Sequence, residues 1–272
     1  MLVSTKSIER RTLGEKMTKR VLITGMSGLI GGLLKTHLTD KGGYELTALN
    51  RSPVEGVKTF QSDITDLESI APAFDNQDVV VHLAAYLGSQ EWEHQHSVNV
   101  VGTYNVFEAA RRAGVKRVVF ASSGSVIRGF ERVSPYKEIA EGSYHEVPKN
   151  FDMITHEQVR PDALYGATKV WGEALGRHFS DEYNLSVISV RIGVVKKENK
   201  PLSVRENASY LGHDDICNML RLCIDAPSTI RCETVFAVSN NKWNYRDLNH
   251  AEKILGYKPE NSADDNFFNP GN

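Results

Sequence analysis

The chain has 272 residues, 40% hydrophobic and 24% charged, with a formal net charge of -2. That suits one soluble globular unit with a large core, and it excludes a general electrostatic attraction to nucleic acid or to an anionic membrane. Cys217, Cys223 and Cys232 have neither zinc nor redox spacing, and no run is apolar enough to cross a bilayer, so free thiols in a cytoplasmic protein without a metal are expected.

Met1 to Lys19 is polar and mixed in charge, which reads as a flexible tail over 1–18, with Met17 a second candidate start. Val21 to Ile23 is a short β-branched run of the kind a doubly covered parallel strand needs. It leads into Gly25, Gly28 and Gly31, and then into a helix whose apolar positions are Leu29, Ile30, Leu33, Leu34 and Leu38. Lys41-Gly42-Gly43 ends that helix. A strand over Tyr44 to Leu49 follows, then Asn50-Arg51, a short strand over Lys58 to Gln61, and a helix over Leu67 to Phe74. Val79 to Leu83 reads as a buried strand, Val98 to Ala113 as a helix, and Val118 to Ala121 as a strand running into Ser122-Ser123.

Gly129 to Leu164 reads as a long irregular connection, a length that usually marks a lid or binding loop. Tyr165 to Tyr183 is helical, Val187 to Arg191 is a strand, and Lys196 to Leu211 is a second irregular stretch. His213 to Asp225 is a helix, Thr234 to Val238 a strand, and Asp247 to Leu255 a helix closed by Gly256. The tail from Asn261 reads as frayed, and the Lys/Arg clusters at Arg111, Arg112, Lys116 and Arg117 and at Lys196, Lys197 and Lys200 read as solvated helix ends or loops.

Alternating strands and helices imply an α/β fold with a doubly wound parallel sheet, whose ligands bind beyond the carboxyl ends of the strands. The expected division is a dinucleotide-binding core at 19–195 with the strand 234–238. A small substrate lobe at 196–233 and 239–260 would complete it, with a tail at 261–272.

Two stretches carry chemistry. In Gly25-x-x-Gly28-x-x-Gly31, a sharp turn, an open approach to the backbone and a close helix–strand contact combine at a helix N-terminus, which favours a pyrophosphate. Tyr165 and Lys169 are spaced i, i+4 on one helix face. A lysine ammonium beside a phenol is expected to lower the tyrosine pKa and make the hydroxyl a usable acid/base.

In order along the chain stand Thr24-Gly25-x-x-Gly28-x-x-Gly31, His82-Leu83-Ala84-Ala85, Asn99-x-x-Gly102-Thr103-x-Asn105, Ser122-Ser123 and Tyr165-x-x-x-Lys169. Together they resemble the extended branch of the short-chain dehydrogenase/reductase superfamily, from Arg20 to Pro259, with a Rossmann core. The resemblance implies Tyr165 as acid/base, Lys169 as its partner and holder of the nicotinamide ribose, and Ser123 as hydrogen-bond partner of the reacting oxygen, with Ser122 competing. It implies adenine contacts at Asp63 and Ile64, and cofactor contacts also at Ser27, Leu29, Ile30, Leu83, Ala84, Ala85 and Ile192. Asn99 is either a ribose-side group or a helix cap. Asn50 and Arg51 stand where an acidic residue would select NAD, so the cofactor is NAD or NADP.

Val190-Arg191-Ile192-Gly193, Ser209 to Asp215 and Leu255 to Pro259 most resemble the short sugar dehydrogenases of the uronate and archaeal glucose-6-phosphate type. The alternatives are a nucleotide-sugar epimerase or dehydratase that keeps its NAD, and a non-catalytic NAD(P)-binding regulator. Tyr86, Gly124, Ser125 and Val194 are the expected substrate side, although Gly124-Ser125 replaces the Asn-His of uronate dehydrogenases. Arg205 is either the arginine for a sugar carboxylate or a surface charge. A homodimer is expected across the helices Val98 to Ala113 and Tyr165 to Tyr183, with Val106, Trp171 and Leu175 as candidates.

Overall fold

Short β-branched runs at Val21–Ile23, Val79–Val81, Val118–Val119 and Val187–Ile188 are almost wholly excluded from solvent and lie side by side. The computed structural model describes residues 18–269, so the expected tail at 1–17, Met17 included, lies outside the described residues. Seven parallel strands form one sheet: β1 (Lys19–Thr24), β2 (Tyr44–Asn50), β3 (Lys58–Gln61), β4 (Val79–His82), β5 (Arg117–Ser123), β6 (Ser186–Ile192) and β7 (Cys232–Ala237). Their order is β3-β2-β1-β4-β5-β6-β7. The chain reverses direction of winding between β1 and β4, which opens a crevice at their carboxyl ends.

Helices cover both faces. On one face α1 (Leu29–Lys41) and α8 (His213–Asp225) bury Leu34, Leu38, Met219, Leu220 and Ile224 against Ile23, Val81, Val119 and Ile188. On the other, α2 (Leu67–Ile70), α4 (Thr103–Arg112) and α6 (Leu164–Tyr183) bury Ile70, Val106, Phe107 and Phe179 against Leu22, Val80 and Phe120. A third, smaller core lies past β5–β7. There Val126, Ile127, Tyr136, Ile139, Ala208 and Tyr245 pack together. It joins the long connection with its helix α5 (Tyr136–Glu141), the short α7 (Glu206–Ser209) and the chain ahead of α9 (Asn249–Leu255). The helix α8, placed in the substrate lobe by its position in the chain, thus shares the main core of the sheet.

Several expectations change. The strand expected at 118–121 runs from Arg117 to Ser123, so both serines are part of it. The helix expected from Val98 starts earlier, as α3 (Trp92–His94), then a wide segment with i→i+5 bonding at Gln95–Gly102, then α4. The chain from Asn261 to Asn269 is docked: Ala263 is fully buried with its N–H on Asn241 Oδ1 at 2.9 Å, and the backbone of Phe268 exchanges two hydrogen bonds with Asn207. Arg117 is no solvated helix end: it is 5% exposed and donates to Ser186 Oγ and to the carbonyls of Cys223, Ala226 and Pro227. Those carbonyls end α8, where a cation is favoured. Val106 is fully buried within its own subunit, so it cannot serve an interface between copies.

The glycine turn sets the start of α1. Gly25 has φ +72°, a conformation that side chains resist, and a Cβ there would meet Ala84 N at 2.8 Å. A Cβ on Gly31 would lie 2.5 Å from Met26 Cα and 2.6 Å from Gly25 O, both backbone atoms that cannot swing aside. Gly31→Ala should therefore destabilise the fold by about 3 kcal/mol, read as a lower urea midpoint at unchanged slope.

Candidate active site

A groove runs across the carboxyl ends of β1, β2 and β4 and continues to β5 and β6. Its first part, about 350 Å³, is lined by Gly25, Ser27, Gly28, Asn50, Arg51, Asp63, Ile64 and the turn Leu83 to Leu87. Its second part, about 440 Å³, shares Gly25, Gly28, Leu83 and Ala85 with the first. It reaches Ser122, Ser123, Tyr165, Lys169, Ile192 and Val194. Leu29, Ile30 and Gly31 face this second part and Ala84 the first. The structure therefore brings every expected cofactor residue except Asn99 to one groove.

The groove fits a dinucleotide on its own chemistry. The first turn of α1 has no acidic side chain and no side-chain cap, so its N–H groups and positive dipole end stay available to a phosphate. A Cβ at Gly28 would fill the approach, having only Gly25 O at 3.3 Å behind it. Asn50 Oδ1 is buried and has no hydrogen-bond partner, an acceptor waiting at the end of β2. No acidic side chain directly follows it in the chain, Asp63 of the same lining standing after β3, and the neighbouring Arg51 is exposed.

At the other end α6 carries Tyr165 and Lys169 into the groove. Burial pushes the Tyr165 phenol up to about 12, against the pull of its hydrogen bond with Ser123. Burial pushes the Lys169 ammonium down to about 8, opposed by Glu173. Lys169 Nζ donates to Ala121 O at 2.8 Å and lies 5.6 Å from the Tyr165 ring centroid. The expected lowering of Tyr165 by Lys169 is thus not observed: burial raises the phenol, and the ammonium donates to a carbonyl. The two serines also part company. Ser123 is the partner of Tyr165, whereas Ser122 Oγ donates to Glu173 Oε1 at 2.5 Å.

Other residues prop the groove from beneath. Asn99 is 2% exposed; it accepts from Tyr86 N at 2.8 Å and donates to Tyr86 O at 2.9 Å. It is neither a helix cap nor a groove residue, but a clamp on the turn after β4. Asn105 donates to Ile64 O at 2.9 Å, and the bare Cα of Gly102 leaves room for the Ile64 side chain. His82 bridges Thr24 Oγ1 at 2.8 Å and Thr103 Oγ1 at 3.3 Å, while Thr24 Oγ1 accepts from Ala84 N. Burial, with help from Lys169, pushes His82 down to about 3.

The expected substrate residues separate. Val194 faces the reactive end, held by backbone bonds to Ser209 and Leu211. Tyr86 faces the half lined by Asn50 and Ile64 instead. Gly124 and Ser125 follow Ser123 in a single turn that packs towards Arg246 and lies outside the lining. Arg205 also lies outside it, and its guanidinium is paired with Glu131 at 2.6 and 2.9 Å. Tyr245 donates to the same carboxylate at 2.6 Å. Two residues escaped the sequence reading as functional candidates: Glu173, four positions beyond Lys169, and Arg191, 2% exposed and bidentate to it. A carboxylate one turn along a helix face already carrying Tyr165 and Lys169 was the signal available.

A seven-stranded parallel sheet with a glycine cradle and a Ser-Tyr-Lys group on one groove defines a class. The chain belongs to the NAD dependent epimerase/dehydratase family, whose model matches residues 21–196. Over 92% of its length it is 31% identical to the NAD-dependent glucose-6-phosphate dehydrogenase of Haloferax volcanii, covering 97% of that protein. It is 31% identical to the L-arabinose 1-dehydrogenase (NAD(P)(+)) of the same organism over 90% of this chain and 98% of that one. Among solved structures, the uronate dehydrogenase of Agrobacterium tumefaciens superposes with a TM-score of 0.78 at 28% identity, over 94% of this chain and 91% of the other. A mutant of that enzyme was solved as a complex with NAD, with a TM-score of 0.76 at 28% identity over 91% of this chain and 86% of the other.

The buried His82 gives this site a pH signature. Its folded value lies below its ordinary 6.5, so the unfolded chain binds the proton more readily and acid favours unfolding. The stability present above 6.5 should be lost as pH falls towards about 3. The His82 share of the slope should approach about 1.4 kcal/mol per pH unit. His82→Gln should remove that component, as measured by urea midpoints across the range.

Proposed function

We propose that the protein is an NAD(P)-dependent sugar dehydrogenase, moving a hydride between the nicotinamide and a carbinol carbon of a sugar or sugar acid. The convergence of Ser123, Tyr165 and Lys169 on the far end of the nucleotide groove carries this reading. The chain's coverage of whole sugar dehydrogenases supports it.

When bound, the nicotinamide supplies the hydride acceptor or donor. The chain's own residues do the rest. Tyr165 Oη takes the hydroxyl proton as the substrate is oxidised, or returns one to the carbonyl in reverse. Ser123 Oγ holds the same oxygen in line. Lys169 provides positive charge beside the developing phenolate, which burial alone disfavours. The apolar walls Leu83, Ala85 and Ile192 keep water from the transfer. Asn50 Oδ1 would accept from the adenosine ribose and the exposed Arg51 would meet a 2′-phosphate, so both NAD and NADP fit.

The substrate side is formed by Val194, Val195 and Lys196, where β6 leads into the 196–211 stretch. Two copies associate across the outer faces of α4 and α6, where Tyr104 and Tyr183 are 44% and 47% exposed and Trp171 is half-buried. Leu175, also half-buried, packs against the subunit's own core.

Steady NAD(P)H formation on a panel of uronates, aldoses and sugar phosphates should identify the substrate. Interconversion of nucleotide sugars without net NAD(P)H would replace this reading with an epimerase. Tyr165→Phe should lower kcat by about 1000-fold while the nucleotide Kd stays unchanged; retained turnover would remove Tyr165 from its role. Arg51→Ala should raise the KM for NADP about tenfold and leave that for NAD within about twofold, a difference of about 1.4 kcal/mol.

A further inference from the structure

Lys169 is a cation almost without water, 3% exposed. The groups around it can be taken element by element. β5 offers the Ala121 carbonyl and the Phe120 ring, 4.9 Å from Nζ. β4 offers His82, which stays neutral because burial pushes it down to about 3. α6 itself offers Tyr165 and Glu173, and behind Glu173 stands Arg191 from β6. Glu173 is the anion of this set, and it opposes the loss of the Lys169 proton.

Glu173 is held with three hydrogen bonds: from Ser122 Oγ at 2.5 Å, from Arg191 Nε at 2.9 Å and from Arg191 Nη2 at 2.8 Å. Arg191 also donates through Nη1 to the carbonyl of Gln158, at 2.9 Å, in the long connection beside the site. One carboxylate therefore joins the catalytic helix, the strand carrying Ser123, the strand leading to Ile192 and, through Arg191, the connection. A bidentate arginine is the geometry that holds a buried carboxylate in one orientation.

We propose that Glu173 and Arg191 are positioning residues: Glu173 keeps the Lys169 ammonium charged in a dry site, and Arg191 keeps the Glu173 carboxylate aimed. The role of Lys169 that the pair serves rests on the function proposed above. A pair that merely fastens α6 to β6 would leave the lysine's proton affinity unchanged, which separates the two roles.

The test is a titration of lysine 13Cε signals by NMR on the full chain, with Lys169 assigned from the spectrum of Lys169→Met. No substrate is needed. In Glu173→Gln the Lys169 midpoint should fall by about one pH unit, a tenfold change in the constant. That variant leaves Arg191 buried and unpaired and can fail to fold. The double variant Glu173→Gln with Arg191→Met leaves no unpaired buried charge, and the fall should persist in it. The alkaline limb of kcat/KM should move down in pH by the same amount. A folded double variant whose Lys169 titrates at the wild-type midpoint would overturn the proposal. Absence of turnover on every sugar of the panel would sink the proposed reaction, yet leave the lysine titration readable.

Discussion

A parallel sheet covered on both faces leaves its polar chemistry only one place to go. The central strands β4, β5 and β6, and β1 from Val21 on, are buried almost throughout, and two helical layers close over them. Backbone N–H groups, hydroxyls and charges can meet solvent or a ligand only beyond the strand ends. Gly25 to Gly31, Asn50, the turn after β4, Ser123 and Ile192 all sit there, so residues up to 167 positions apart (192 − 25) share one groove. The third hydrophobic core exists for a related reason. The connection after β5 is too long to leave uncovered, and its own apolar side chains, with Ala208 and Tyr245, provide a base beneath it.

Much of the polar residue inventory works as support for that groove. The segment Asn99-x-x-Gly102-Thr103-x-Asn105 contributes no lining side chain, yet each named member fixes something that does. Asn99 clamps Tyr86, Gly102 and Asn105 seat Ile64, and Thr103 holds His82. Since these partners are buried, each lost hydrogen bond would strand a polar group without water. The same economy appears at the reactive end, where Glu173 and Arg191 stand behind Lys169 and Ser122.

The charge around Tyr165 separates two effects that the spacing of Tyr165 and Lys169 merges. Proximity to a cation should ease ionisation, yet burial acts more strongly and in the opposite sense. One N–H of the Lys169 ammonium donates to Ala121 O. A phenol so placed is neutral at physiological pH, as a proton donor to a carbonyl must be.

Sequence alone determined the strand and helix order, the glycine cradle, the i, i+4 pair on α6 and the nucleotide groove, because each rests on local periodicity or on spacing within one element. It did not determine what Asn99 and Arg205 touch, that Val106 is spent inside the subunit, or that Arg117 caps α8 from within the core. Those outcomes depend on partners far along the chain: Tyr86 for Asn99, Glu131 for Arg205, the end of α8 for Arg117. Local rules place a side chain on a face, but only the packed tertiary structure decides which charge or carbonyl it meets. That is why the residues lining the groove at the strand ends could be named from the sequence, whereas the partner of Arg205, a glutamate 74 positions away in the long connection, could not.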